Sequence, residues 1–324
     1  MATDVMTTDV PLRWAEPPVV TLGLWGPPFS GKTTMLAALE VATTRGGRSF
    51  TPDPGRSTAF FTELRFAMAP PRRFLPERTE LPDDLSVAFG PRRKERPGPA
   101  DAPFRLRIMD VKGGLTRDEV GEQLTEDHGR FLDFLAASDG ILFLVDPRRE
   151  LNRAQRDTSS YFRTLLGMLA HRTGGAGLPR RVAVCVTMLD DEQVLRRAAA
   201  AGWVTQDPDP PCQPRVRNRD ARAFFESLCR WPEQGGTAEL HETLLATFGA
   251  PAISYFVCSS VGFRLHDGHV VRMDDSGDPP SWQNVSQAGN RTRLLGAMNP
   301  INVLEPIETL VGQVLADRNG AAHV

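Results

Sequence analysis

The 324-residue chain is 40% hydrophobic, 24% charged and 7% aromatic, which excludes a collagen-like, coiled-coil or wholly disordered protein. With 38 basic and 40 acidic residues the formal net charge is −2, so no global field favours nucleic acid or anionic lipid. No run approaches the ~18 uninterrupted apolar residues of a membrane span, and Met1 to Pro18 carries acids and prolines where a signal peptide has a basic, then apolar, segment. A cytoplasmic protein is expected.

Residues 1–17 read as a polar tail. The apolar run Val19 to Trp25 predicts a buried parallel strand, and Thr33 to Glu40 a helix behind a Gly/Pro turn. The variable segment Gly46 to Pro103 contains a helix-like stretch (Ala59 to Met68), a strand (Leu85 to Phe89) and a basic loop (Arg92 to Arg96). Phe104 to Asp110 alternates apolar and basic residues, as a strand with one less-buried face does. A helix is expected over Thr116 to Ala137, a strand over Ile141 to Val145, a helix over Ala154 to His171 and a strand over Val182 to Thr187. Helices around Glu192 to Ala201 and Arg219 to Cys229 flank the Pro-rich loop Asp207 to Pro214. Ser254 to Cys258 is the last core strand. Gly262 to Pro300 reads as an inserted hairpin or loop, and a final helix runs from about Pro306 to Asp317. This alternation implies an α/β, doubly wound, mostly parallel sheet: one P-loop domain over 18–318, with insertions at about 46–103, 203–250 and 262–300, then a tail at 319–324.

Gly26-Pro27-Pro28-Phe29-Ser30-Gly31-Lys32-Thr33 matches G-x-x-x-x-G-K-[ST] between a predicted strand and a predicted helix. Such a loop surrounds α and β phosphates with backbone N–H groups, and Thr34 continues the first helical turn. Lys32 is placed to reach β and γ oxygens and the Thr33 hydroxyl to ligate Mg²⁺. Asp110-Val111-Lys112-Gly113 ends a strand where open α/β sheets place ligand contacts. Asp110 is the natural carboxylate to hold Mg²⁺ and the Gly113 amide a γ-phosphate sensor. Asp146-Pro147, after the strand at Ile141 to Val145, reads as core support.

Thr187-Met188-Leu189-Asp190 and Ser259-Ser260-Val261-Gly262 end the next two core strands. In these motifs the chain resembles the translation-factor-related and Ras-like P-loop GTPases, with their [NT]-K-x-D and later serine motifs in the same order. The resemblance implies GTP and GDP with Mg²⁺ as ligands. It gives Thr187 and Asp190 to guanine reading, Ser259 and Ser260 to the base edge, and Thr79 to a switch threonine on Mg²⁺, with Thr51 and Thr62 as rivals. Arg72, Arg73 and Arg78 read as solvated loop charges, with an arginine finger in cis as the rarer alternative. Two departures stand out. Met188 occupies the lysine position, and Gly114 stands where Ras-like members orient the attacking water with glutamine, which implies slow hydrolysis.

Asn299-Pro300-Ile301-Asn302-Val303-Leu304-Glu305-Pro306 looks like the entry to the last helix in the bacterial double-GTPase group of conflict or signalling systems. That likeness implies a switch acting on a regulatory protein partner. The alternatives are an ATP-binding phosphotransferase or kinase, and a non-hydrolysing nucleotide-binding scaffold. Cys185, Cys212, Cys229 and Cys258 form no C-x-x-C pair, and the six histidines form no triad or H-E-x-x-H pattern. The Arg-rich segments Arg92 to Arg107 and Arg215 to Arg222 lack interleaved aromatics and read as solvated loops, with no evidence for nucleic acid.

Overall fold

The computed structural model describes residues 17–27, 29–70, 72–76, 84–91, 101–109, 126–148, 158–174, 178, 181–207, 211–230, 238–267, 271 and 280–321. β1 (Val19–Trp25) is nearly all apolar and, after its first residues, buried on both faces. It runs through the glycine-bounded loop into α1 (Lys32–Arg45), which stops at Gly46 and Gly47. β2 (Phe50–Pro52) follows, then α2 (Arg56–Met68), which buries Phe60, Phe61 and Leu64 on one face and ends where Ala69 turns extended before Pro70. β3 (Leu85–Phe89) and β4 (Phe104–Met109) alternate buried and less-buried residues, and Arg105 and Arg107 lie on the outer face.

The described part of the next helix, α3 (Glu126–Ala137), buries Phe131, Leu132 and Leu135, and β5 (Gly140–Val145) is wholly buried. α4 (Thr158–Thr173), β6 (Val182–Val186) and α5 (Glu192–Ala200) follow in order. The Pro-rich loop is framed by a short ladder of β7 (Val204–Gln206) and β8 (Pro214–Val216), which leads to α6 (Asn218–Cys229). Sequence periodicity had not revealed α7 (Ala238–Phe248), which precedes β9 (Ile253–Val257). The insertion after β9 carries the hairpin β10 (Val285–Ala288) and β11 (Arg291–Leu294), and α8 (Glu305–Ala321) closes the chain.

The main sheet has the order β2-β3-β4-β1-β5-β6-β9. β4, β1, β5, β6 and β9 are mutually parallel, and β3 runs against both its neighbours. One apolar layer carries residues of α3 to α7 on one face, and the other carries residues of α1, α2 and α8. This is a doubly wound α/β architecture. Trp25 stacks on Phe162 with ring centroids 4.7 Å apart, and Phe143 lies 5.0 Å from Phe162, so the end of β1 is held by an aromatic cluster. Arg48, its side chain fully buried, pairs with Glu308 at 3.0 Å and tethers the start of the first insertion to α8. Among the described residues, no helix is long and apolar enough to cross a membrane.

Candidate functional site

In a parallel sheet the loops leaving the strands gather at one edge, so the segments after β1, β5, β6 and β9 meet there. Gly31 takes φ +91° and caps α1 without a side-chain hydrogen bond, and the first turn of the helix contains no acid. The cap itself therefore brings no carboxylate to the positive end of the helix dipole, a position that favours an anion. Lys32 folds back over the loop, its Nζ donating to the carbonyls of Gly26 (2.9 Å) and Pro27 (3.2 Å). Ser30 N–H donates to Pro27 O at 3.2 Å and closes the curve, while the Ser30 hydroxyl is buried with no hydrogen-bond partner among the described residues. The Phe29 side chain is 73% exposed and its backbone has φ +66°, so it shapes the loop through its main chain. Thr33 and Thr34 are half-buried on the first turn.

Thr187 joins the phosphate loop to the sheet. Its hydroxyl lies 3.1 Å from both Ser30 O and Val145 O, and its N–H donates to Val145 O at 2.9 Å. Thr187→Val is expected to cost about 1–2 kcal/mol, because two buried carbonyls lose a shared donor. A urea unfolding midpoint unchanged from wild type would show that this bridge does not matter.

Met188 takes φ +60° and starts a turn in which Asp191 N–H donates to Met188 O. A Cβ at Gly31 would sit 3.3 Å from Met188 Cε, so the methionine lies against the phosphate loop. The turn places Asp190 inward and Asp191 at the N-cap of α5, where its carboxylate accepts from Gln193 and Val194 N–H. Asp190 is buried, and burial pushes its pKa up from 3.8 to about 6 despite a hydrogen bond from the Ser259 hydroxyl.

Ser259 is fixed in turn. Its Oγ accepts Gly262 N–H at 2.8 Å, and its backbone exchanges hydrogen bonds with Ile301 at 3.0 and 2.8 Å. The Asn299 amide donates to Phe263 O, and the Asn302 amide to Val257 O and Asn218 Oδ1. The segment at 299–306 therefore braces the serine loop, a role the sequence had not revealed. Gly262 has φ +62°, and an added Cβ would meet Asn299 O at 1.7 Å. Gly262→Ala is expected to cost more than about 3 kcal/mol, read as loss of soluble protein or a collapse of the melting temperature. Ser260 follows, half-buried.

The structure thus brings together Gly26, Pro27, Ser30, Gly31, Lys32, Thr33, Thr187, Asp190 and Ser259 at one edge. Pro28, Thr79, Asp110, Gly113 and Gly114 lie outside the described residues. Of the rival threonines, Thr51 is exposed on β2, three strands from β1, and Thr62 is half-buried on α2. Arg73 Nη1 donates to Leu295 O at 3.2 Å, beside the inserted hairpin.

At the end of β5, where Asp146-Pro147 reads as core support in the sequence, the structure adds an ion pair. Arg148 makes a two-pronged ion pair with buried Asp146, each N···O distance 3.0 Å. Burial works to lower the Arg148 pKa, but the Asp146 hydrogen bond and the charges of Asp146, Asp191 and Asp190 outweigh it. The signal was present as Asp-Pro-Arg directly after an unbroken apolar strand.

A mostly parallel sheet whose first strand runs through G-x-x-x-x-G-K-T into a helix is an α/β fold of the P-loop class. No family model and no curated protein matches the chain. Among solved structures it is similar to Sup35 complexed with GDP: 12% identity over 80% of this chain and 42% of that one, TM-score 0.33. It is similar to the SRb-GTP/SRX complex of the signal recognition particle receptor from Chaetomium thermophilum (14%, 77% and 93%, TM-score 0.38). It is similar also to the S. cerevisiae Ski7 GTPase-like domain bound to GTP (12%, 92% and 50%, TM-score 0.39). The chain spans less than half the length of the Sup35 chain it matches.

Proposed function

We propose that this chain binds Mg²⁺-GTP, hydrolyses it slowly and uses the nucleotide state to regulate a protein partner. The observation that carries the reading is the Thr187 bridge, which joins an uncapped phosphate loop to the turn holding a buried carboxylate, Asp190. Ionised Asp190 accepts two hydrogen bonds, and guanine offers two donors on one edge, N1–H and the exocyclic amine, whereas adenine offers an acceptor. In the chemistry proposed, water attacks the γ-phosphorus, the bond to the β–γ bridging oxygen breaks, and GDP and phosphate leave. Lys32 exchanges its loop carbonyls for β and γ oxygens, and the amides of the first turn of α1 hold the phosphates.

Thr33 belongs to this site, and Asp110 and Thr79 are proposed with it to hold Mg²⁺, which when bound offsets phosphate charge. The Gly113 amide is proposed to read the γ-phosphate. Gly114 brings no side chain to orient water, which supports a low rate and keeps a non-hydrolysing scaffold as the second reading. The finer likeness to the bacterial double-GTPase group, and with it the protein partner, is proposed from the Asn299 to Pro306 motif alone.

The test is equilibrium binding of GTP, GDP, ATP and ADP with Mg²⁺. A clear preference for guanine nucleotides is expected. ATP binding as well as GTP would overturn the reading in favour of a kinase or ATPase, which a screen of acceptor metabolites would then detect. Phosphate release from bound GTP separates the slow hydrolase from the scaffold.

A further inference from the structure

Two insertions far apart in the chain meet as one small sheet. Phe74 pairs antiparallel with Arg293, so residues 73–75 lie as a third strand on the β10–β11 hairpin. Leu75 N–H donates to Thr292 O at 2.9 Å, and Leu294 N–H to Arg73 O at 2.7 Å. The Arg291 guanidinium lies over the Phe74 ring, 4.2 Å from its centroid, and Arg73 Nη1 donates to Leu295 O at 3.2 Å. Leu294 is buried in the apolar layer of α1, α2 and α8, which anchors the hairpin, whereas Arg73, Phe74 and Leu75 are half-buried. A half-exposed strand held by so few contacts can open while the rest of the molecule stays folded.

The same hairpin is wired to the loop that holds Ser259. Asn284, fully buried just before β10, accepts Leu295 N–H on its backbone carbonyl at 2.8 Å and Gly296 N–H on its Oδ1 at 2.9 Å. Its amide donates to Val261 O and Ala297 O, each at 2.9 Å. Val261 sits in the turn closed by Gly262 N–H on Ser259 Oγ, and the Ser259 hydroxyl donates to Asp190. A buried amide with its donors and acceptor all engaged holds the hairpin and the serine loop in one arrangement. Resting on the reading of Asp190 and Ser259 as the base site, we propose that the inserted hairpin is a clasp coupling guanine occupancy to the docking of residues 73–75, with Asn284 as the connecting residue. A base that orders the serine loop steadies Val261 and Asn284, and with them the strand to which the clasp is bonded. By linkage, the docked clasp favours the base by the same factor. The nucleotide state is then displayed where the first and last insertions meet, a surface for a protein partner to read.

The test uses the full chain at constant Mg²⁺ and follows hydrogen exchange at the Leu75 and Leu294 amides, the two that cross the clasp. Saturating GDP is expected to slow both by about fivefold or more, and pyrophosphate, which has no base, to leave them within about twofold. Leu75→Pro removes the N–H given to Thr292 and opens the clasp. It is expected to lower GDP affinity by about fivefold while pyrophosphate affinity stays within about twofold of wild type. Leu75→Ala keeps that N–H and is expected to bind GDP within about twofold of wild type. Phe74→Ala, which takes away the ring beneath Arg291, repeats the test should the proline variant fail to fold. Asn284→Leu, similar in shape but without donors, is expected to abolish the protection of Leu75 and Leu294 by GDP.

Exchange at Leu75 and Leu294 that GDP leaves unchanged overturns the proposal, as does equal protection by pyrophosphate. So does a proline or Phe74→Ala variant that binds GDP as wild type does, or protection that survives in Asn284→Leu. These failures are distinct from failure of the base reading. That would show in wild type as no preference for GDP over ADP, or as a preference that Asp190→Asn leaves unmoved.

Discussion

Lys32→Ala is expected to lower GTP affinity by at least about 100-fold, through the loss of charge-assisted contacts to two phosphates. Lys32 Nζ donates to the carbonyls of Gly26 and Pro27. Phosphate oxygens offer Lys32 charged acceptors, and the alanine variant forfeits those contacts. Loss of the two carbonyl contacts also loosens the loop, at a stability cost of about 1 kcal/mol. Titration calorimetry separates the effects: a folded variant with near-normal melting and no heat on GTP addition fits the model. Tight, Mg²⁺-dependent binding by the variant would remove Lys32 from the phosphate site.

Asp190→Asn is expected to weaken GDP binding by about 100-fold or more while improving binding of xanthosine diphosphate. The amide presents a donor where guanine has its exocyclic amine, so two donors meet. Xanthine carries a carbonyl oxygen at that position and accepts the new N–H. The same change is expected to stabilise the nucleotide-free protein. The Asp190 pKa is raised on folding, so its contribution to stability is complete below the ordinary 3.8 and is lost as pH rises through about 6. At pH 7 a buried ionised carboxylate opposes the fold, and its replacement by asparagine, which still accepts from Ser259, is expected to gain about 3 kcal/mol. Wild-type stability is thus expected to decline between about pH 4 and 6 by an amount the variant lacks. GDP affinity runs with the opposite sign, rising across the same interval. A variant with unchanged base preference and unchanged melting would show that Asp190 neither reads the base nor strains the free protein.

Both results bear on how the site divides its labour. Phosphate binding rests on main-chain geometry set by one left-handed glycine and one lysine, all local to residues 26–34. The base site proposed here is assembled from separate strand ends and a distant brace, which hold a buried carboxylate in place. The Asn299 and Asn302 amides spend their hydrogen bonds on backbone carbonyls around Ser259, and Ser259 spends its hydroxyl on Asp190. If Asp190 reads guanine as proposed, the ligand's two donors are expected to stabilise this site.

The core strands and the phosphate loop were legible in the chain because their signals are local. A buried parallel strand is an unbroken apolar run, and the phosphate loop needs glycine where φ is positive and a helix immediately after it; Val19–Trp25 and Gly26 to Thr33 meet both demands. The helix Ala238–Phe248 and the short ladder of Val204–Gln206 with Pro214–Val216 were not legible. The ladder's strands are too short for a period of two to register, and the helix lies in an insertion with no motif to flag it. What tertiary structure alone decided is the wiring of the base pocket. The sequence pointed to Asp190 and Ser259 as separate strand ends, but not to the hydroxyl of one resting on the carboxylate of the other, nor to the segment at 299–306 holding both in place. Nor did it show that Arg148, 42 residues before Asp190, is held in a two-pronged ion pair by the buried Asp146. Such contacts depend on strand order and register, which place β5, β6 and β9 side by side, and a long-range hydrogen bond leaves no periodicity in the chain that makes it.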